Sequence, residues 1–312
     1  MMSSDGAGSL EKLLSVGWAY HDKESERLAR ELEAAANTGI PPSCLVQFLH
    51  LSCHTIGEHL CDWTRAFGLG KRVLDRQTLT YEMAKAWGHL YVAAVLAGEP
   101  IAAVQSELSY LKAAGADLGA ALLDMRFMLA KALVSAKRTT EAAEFYRSAL
   151  DLVEQIRPSL LMTRTIAVAS NNLGWEIYET LPRSAHDDDL MQLCAETSLT
   201  YWLKCGNWIN EERALYLKAL VSTATGSPQS GLDDADKALA VINLHSERPL
   251  DTALLHLARA TSLAAMGDTD GSLRAIADAD VAASKLSAPT MRAQFDSERS
   301  KVVPPIANDP AA

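Results

Sequence analysis

The sequence predicts an all-α protein, a right-handed superhelix (α-solenoid) of about six to seven antiparallel helix pairs. Hydrophobic residues make up 48% of the 312 residues and aromatic residues only 6%, which favours closely packed helices over a β-sheet. Prolines fall between the periodic apolar runs and almost never within one. A glycine followed by an acidic residue recurs between apolar runs, at Gly57-Glu58, Gly98-Glu99 and Gly267-Asp268.

These glycine–acid pairs predict the turns that join the helices. Glycine ends a helix at little cost because it accepts the left-handed conformation, and an acidic side chain suits the positive N-terminal end of the next helix. Turns are therefore expected at Gly57, Gly98 and Gly267, and the markers lie roughly 40 to 45 positions apart where they can be placed.

The clearest repeat is predicted between Met125 and Ile156. In its second half, three residues share one helical face: Ala142, Tyr146 and Ala149. The two small residues let neighbouring helices approach closely, and the aromatic ring fills the groove between them.

Later units are expected to follow the same plan. One opens at Ser170–Tyr178, and its second helix is expected after an insertion around Pro182–Asp189. Within that insertion, Asp187–Asp189 is expected to be a solvated loop, with a loop that binds a divalent cation as the alternative. Further units are predicted over residues 212–241 and 250–286.

This pattern resembles the tetratricopeptide repeat. In the family, the second helix of a repeat carries a small, an aromatic and a small residue where this chain has Ala142, Tyr146 and Ala149. The family's first helix carries Leu, Gly and Tyr near the positions of Leu173, Gly174 and Tyr178. The spacing is nearer to the longer repeats of kinesin light chain and of some bacterial regulator sensor modules, and the resemblance covers residues 10–293. It implies a concave surface that binds a protein or a peptide.

Composition limits the organisation and the partners. One repeat domain is predicted over residues 9–300, between a flexible N-terminus over 1–8 and a disordered tail over 301–312. A net charge of −10 without any Lys/Arg cluster argues against nucleic acid and anionic membrane as partners. Five irregularly spaced cysteines favour free thiols. Since no signal peptide or membrane-spanning run is present, a cytoplasmic protein is expected.

A ligand groove is expected beside an asparagine pair. The resemblance implies that Asn171 and Asn172 face the groove and bond a peptide backbone, because an amide both donates and accepts hydrogen bonds. The alternative is a solvated pair near a helix start. Neighbouring first-helix positions supply the expected companions, namely Lys131, Arg213, Tyr216 and His89. The family's basic carboxylate clamp is not reproduced, so a groove of mixed apolar and amide character is expected.

A divalent metal site is the competing hypothesis at His50 and His54, which have the i, i+4 spacing of helical zinc ligands. An apolar stripe through the same segment favours a core helix instead. A turn at Gly57 would also aim Glu58 away from both histidines. On that interpretation the protein needs no cofactor.

Three functions remain open. The first is a protein- or peptide-binding adaptor or sensor that uses the concave face. The second is a metal-dependent enzyme, or an enzyme accessory subunit, built around His50 and His54, although no catalytic signature occurs in the sequence. The third is a structural subunit that forms a homodimer. Trp202 and Trp208, which flank a Gly-Asn turn, serve either recognition or interhelix packing.

Overall fold

The structure is a computed structural model, and it describes residues 4–78, 80–115, 118–155 and 158–302. The regular elements in these ranges are all helical, without a strand, which confirms the all-α prediction. The chain divides into two compact units, Met1–Arg157 (unit 1) and Pro158–Ala312 (unit 2). Among the described residues, no helix is long and apolar enough to cross a membrane.

Unit 1 contains eight α-helices in its described ranges, together with three short 3-10 turns at Gly17–Ala19, Pro42–Cys44 and Tyr81–Met83 and a π-helical turn at Cys53–His59. The α-helices are α1 (Ser4–Val16), α2 (Ser25–Thr38), α3 (Leu45–Ser52), α4 (Trp63–Leu74), α5 (Ala84–Leu96), α6 (Pro100–Ala114), α7 (Leu118–Ser135) and α8 (Thr139–Gln155).

Unit 2 contains seven α-helices over residues 158–302. They are α9 (Leu160–Glu179), α10 (Ala185–Cys205), α11 (Trp208–Ala224), α12 (Pro228–His245), α13 (Pro249–Ala265), α14 (Thr269–Ala283) and α15 (Pro289–Lys301). Connections of two to five residues join most of them, so consecutive helices pack antiparallel as pairs. The last helix packs on α13 through the buried ring of Phe295.

The turns after α5, α7 and α13 share one backbone form. After α5, Gly98 has a φ of 76° and the Glu99 N–H donates to the Ala94 carbonyl; after α13, Gly267 has a φ of 83°. Both turns were predicted from the sequence. Lys137 adopts the same left-handed conformation after α7, with a φ of 61°, although it is not glycine. These repeated helix ends establish the repeat pattern from the backbone alone.

The turn predicted at Gly57 is wrong. The helix continues through Gly57 as the π-helical turn, in which the Leu60 N–H donates to the Thr55 carbonyl at 3.1 Å. The left-handed residue comes later, at Cys61 (φ 54°), and Asp62 then caps α4 by accepting from the Arg65 N–H at 2.9 Å. Glu58 is therefore carried on the same helical segment as His54.

The insertion predicted around Pro182–Asp189 is also smaller than expected. Only residues 180–184 separate α9 from α10, and Asp187–Asp189 lie at the start of α10, with Asp187 and Asp188 in its first turn, rather than in a loop. Ser184 Oγ accepts from the Asp187 N–H at 3.2 Å, while Asp187 Oδ2 accepts from the Ser184 N–H at 2.7 Å. This reciprocal cap is why three consecutive acidic residues begin a helix here.

The predicted core face of α8 is confirmed. Ala142, Tyr146 and Ala149 are fully buried, and the Tyr146 ring lies 5.5 Å from that of Phe127 on α7. The aromatic ring thus fills the space that the two alanines leave between the helices of this pair.

From α5 onward, the odd-numbered helices form the inner layer of each unit. Helix α5 contacts α7 in unit 1, and α11 contacts both α9 and α13 in unit 2, whereas successive even-numbered helices from α4 onward have at most marginal contact within each unit. Helices on the inside of a curved stack lie closer together than those on the outside. The exposed stripes of the odd helices therefore face the inside of the curve within each unit.

The structure describes the two ends of the chain in part. Helix α1 begins at Ser4, within the segment expected to be flexible, and α15 ends at Lys301. Residues 303–312, most of the predicted tail, lie outside the described residues. The five cysteines are free thiols, as the irregular spacing predicts.

Candidate functional site

Unit 1 gathers five of the eight histidines of the chain into one group, which we call the histidine cluster: His21, His50, His54, His59 and His89. The members come from the segment before α2, from α3, from the π-helical turn and from α5. The indole of Trp18 covers the cluster, with its ring centroid 5.1–5.3 Å from those of three of the imidazoles.

His50 and His54, which the sequence pairs as metal ligands, contact different members of the cluster. The His50 ring stacks on that of His89, with centroids 5.1 Å apart and planes 13° from parallel. Burial, and then the nearby His50, lower the pKa of His89 to about 3, so this ring is neutral. His54 instead lies against His21 and His59, with centroid distances of 4.9 and 4.6 Å.

The π-helical turn brings His54 and His59 together. On an α-helix, residues five apart point about 140° away from each other. The wider π-helical turn places residues i and i+5 on the same side. The two Nε2 atoms of His54 and His59 are consequently 3.2 Å apart.

In His21 and His54, hydrogen bonds determine which ring nitrogen carries the hydrogen and which one keeps a lone pair. His21 Nδ1 lies 2.8 Å from the Trp18 carbonyl oxygen, and since a carbonyl only accepts, Nδ1 carries the hydrogen. His54 Nδ1 donates to Glu58 Oε2 at 2.5 Å. In the neutral form of each ring, Nε2 therefore keeps its lone pair.

Glu58 is the charged partner of the cluster. Burial alone would raise its pKa, but the hydrogen bond from His54 and the positive charge of Lys131 outweigh it, so the pKa of Glu58 is lowered. Lys131 Nζ lies 3.5 Å from Glu58 Oε2. Lys131 and His89 were both predicted as groove residues. In the structure Lys131 borders the histidine cluster, and His89 is a member of it.

Three of the histidines could hold a metal ion. One nitrogen from each of His21, His54 and His59 lies within 4.8 Å of the other two. The sequence identified His54 but not His21 or His59, and it offered His50 in their place. A histidine five positions after His54 is visible in the sequence, but only the unexpected π-helical turn makes that spacing meaningful.

The second candidate site is a surface of unit 2 that we call the α9–α11 face. Leu161, Val168 and Asn172 lie on one side of α9, all exposed, with the half-buried Trp175 beside them. On α11 a matching stripe consists of Arg213, Tyr216 and Leu220. The rings of Trp175 and Tyr216 are 5.7 Å apart and join the two stripes.

The asparagine pair is at the middle of this face. Asn172 is exposed and Asn171 half-buried, and Asn171 Nδ2 donates to Asn172 Oδ1 over 3.4 Å. A bond this long leaves both amides with unused donor and acceptor capacity. The structure therefore brings together Asn171, Asn172, Arg213 and Tyr216 of the predicted groove residues within unit 2.

A buried carboxyl pair lies beneath the edge of the face. Glu212 is 1% exposed, and burial, followed by the charge of Asp251 and a hydrogen bond with it, raises the pKa of Glu212. Arg213 Nε lies 3.6 Å from Glu212 Oε1, and Arg248 pairs with Asp251. Sequence reasoning missed this pair, because Glu212 and Asp251 meet only when α11 packs on α13.

The two tryptophans around the Gly206-Asn207 turn have different surroundings. Trp202 is buried against Ala167 and Ala214. Trp208 is half-buried, and its ring stacks on that of His245 at 4.8 Å. Packing accounts for Trp202, while one side of Trp208 is covered by the imidazole.

Comparison with known proteins adds no argument to what the structure itself shows. No protein-family model matches the chain, and no curated protein matches it. Among solved structures, the chain is similar to the crystal structure of BtubC (BKLC) from P. vanneervenii, with 17% sequence identity over 75% of this chain and 91% of that chain. The TM-score of 0.37 is too low for that likeness to support a functional argument.

Proposed function

We propose that the protein is a binding module that holds an extended segment of a partner protein along the α9–α11 face of unit 2. The observation that carries the proposal is the juxtaposition on this face of exposed apolar side chains with asparagine amides that have unused hydrogen-bonding capacity. Apolar pockets and backbone-directed amides are the two elements that recognition of an extended peptide requires.

The chemistry of the face defines the partner segment. Leu161 is 64% exposed and Val168 39% exposed, so the α9 stripe offers apolar surface to side chains of the partner. Asn172 can donate to a peptide carbonyl and accept from a peptide N–H. The segment that fits therefore carries apolar side chains, and its backbone lies within reach of Asn172.

The ring of Tyr216 supports the same surface. Tyr216 packs against the apolar clusters around α13, and its ring lies 5.7 Å from that of Trp175 on α9, with the two planes tilted by 48°. A pair of half-buried aromatic rings offers a large, rigid contact area at little cost in conformational entropy. The rings are thus placed to act as the anchor of the interface.

Site-specific crosslinking tests the proposal in the full-length protein. A photoreactive benzoylphenylalanine replaces Asn172 in one variant and Asn243, an exposed asparagine on α12, in a control. We expect position 172 to crosslink to one protein in its native cell and position 243 not to do so. The crosslinked segment is then synthesised as a peptide, and its affinity is measured by fluorescence anisotropy.

The peptide measurement decides the outcome. We expect Asn172→Ala and Tyr216→Ala each to weaken peptide binding by about tenfold or more, and Asn243→Ala to leave it unchanged. Equal affinity for the wild type and Asn172→Ala contradicts the proposal. A crosslink from position 172 to a second copy of the same chain contradicts it as well, in favour of a homodimer.

The alternative of a metal-dependent enzyme built around His50 and His54 has less support. The His50 ring is stacked on that of His89, whereas the His54 ring lies against those of His21 and His59, so His50 and His54 belong to different ring contacts.

A further inference from the structure

We propose that His21, His54 and His59 bind one divalent first-row transition-metal ion, such as zinc, through one nitrogen of each ring. The site lies in unit 1 and is independent of the binding function proposed for unit 2. It differs from the histidine pair that the sequence indicates, because His50 is not a ligand and two other histidines are.

The distances fit a tetrahedral ion. Two imidazole nitrogens that each lie about 2.0–2.1 Å from zinc at a tetrahedral angle are about 3.3 Å apart. The Nε2 atoms of His54 and His59 are 3.2 Å apart, and a nitrogen of His21 lies within 4.8 Å of both. Small rotations of the exposed His59 ring and the half-buried His21 ring would complete the set.

The hydrogen bonds around the cluster prepare two of the ligands. Metal-binding histidines usually donate their second N–H to a carboxylate or a backbone carbonyl, which fixes the tautomer and the orientation of the ring. His54 makes the carboxylate version of this contact, with Glu58, and His21 makes the carbonyl version, with Trp18. Both contacts leave Nε2 as the ring nitrogen with a lone pair for a metal ion.

The surroundings also suit a cation with an open coordination position. The carboxylates of Glu58 and Asp22 both act electrostatically on His59, and the positive charge of Lys131 is paired with Glu58. Neutral imidazoles favour zinc, copper, nickel or cobalt over magnesium or calcium. Because His59 is exposed, water reaches the fourth position.

An ion at this site would join two distant parts of unit 1. His21 lies in the connection before α2, whereas His54 and His59 lie in the π-helical turn after α3. Since binding to the folded state alone adds stability, the ion would hold the connection before α2 against the π-helical turn.

Metal titration of the full-length protein tests the site. The chelator-treated protein is titrated with zinc by calorimetry, and with cobalt to record the visible bands of a tetrahedral Co²⁺ ion. We expect about one equivalent per chain, and a loss of affinity of at least about tenfold in each of His21→Ala, His54→Ala and His59→Ala. Circular dichroism of each metal-free variant shows whether it is folded.

Two control variants make the ligand set falsifiable. His186→Ala, at an exposed position in the first turn of α10, and His50→Ala are both expected to bind zinc as the wild type does. Uptake of less than about half an equivalent by the wild type would overturn the proposal. So would wild-type affinity in folded His59→Ala, or lost binding in folded His50→Ala.

Discussion

Gly57 lies directly beneath the indole of Trp63: a β-carbon on the glycine would come within 2.5 Å of Trp63 Cζ3. Both residues are buried. The π-helical turn therefore passes the first turn of α4 at a distance that only glycine permits. This contact, and not a helix end, explains the glycine at position 57.

Substitution Gly57→Ala is expected to destabilise the protein by about 1–3 kcal/mol, because the added methyl group must displace the Trp63 ring or the π-helical turn. Chemical denaturation measures the change in the free energy of unfolding. Gly68→Ala is the control, since Gly68 is on α4 with no atom within 4 Å of an added β-carbon. It is expected to stabilise by about 0.5–1 kcal/mol. Equal changes in the free energy of unfolding for the two variants would contradict the close contact between Gly57 and Trp63.

Substitution Glu58→Gln is expected to weaken zinc binding by about 10- to 100-fold if the proposed metal site exists, because the amide no longer orients and polarises the His54 ring as the carboxylate does. Competition with a chromophoric chelator measures the affinity. Glu141→Gln, which removes a surface carboxylate paired with Arg138, is the matched control and should leave the affinity unchanged. Wild-type affinity in Glu58→Gln would show that the carboxylate has no part in metal binding.

The buried pair of Glu212 and Asp251 predicts a pH dependence of stability. Because the folded protein raises the pKa of Glu212 above the ordinary value of 4.5, the folded state holds a proton that the unfolded state releases. The stabilising contribution is complete below about pH 4.5 and is lost as the pH rises through the raised pKa of the folded state.

Thermal denaturation from about pH 5 to about pH 8 tests this sign. Glu212→Gln is expected to lose less stability over this range than the wild type, since the amide needs no proton. Glu211→Gln, on the same helix, is expected to keep the wild-type slope. Parallel curves for the wild type and Glu212→Gln would be inconsistent with a protonated Glu212.

Ser184 and Ser227 are a matched pair of helix-start residues. Ser184 caps α10 with its side chain, whereas Ser227 precedes α12 without a side-chain cap. Ser184→Ala is therefore expected to cost about 1 kcal/mol of unfolding free energy, and Ser227→Ala close to nothing. Urea denaturation of the two variants measures both values. A larger loss of unfolding free energy in Ser227→Ala than in Ser184→Ala would contradict the assignment of Ser184 as the capping residue.

Local signals predicted most of the fold. The turns at Gly98 and Gly267 and the buried face of Ala142, Tyr146 and Ala149 depend on residues close together in sequence, so their patterns are visible without a structure. The acidic start of α10 was misinterpreted as a loop, because three consecutive aspartates indicate a helix start only when a cap such as Ser184 precedes them.

The candidate sites depend on contacts that the sequence does not display. His21 meets His54 only after the segment before α2 packs on the π-helical turn. The close contact between Gly57 and Trp63 within the π-helical turn is also invisible in the sequence. Without it, the glycine indicates an ordinary helix end. The asparagine pair on α9 was placed by resemblance, and its role in binding stays a prediction.

The π-helical turn amounts to one extra residue accommodated within a helix. Removing one residue between His54 and His59 would restore α-helical winding and leave the two histidines four positions apart, about 40° from each other around the helix axis. They would then still lie on one face of the helix. The gain or loss of one in-frame codon between them during evolution would thus keep this histidine pair, whichever winding the segment adopts.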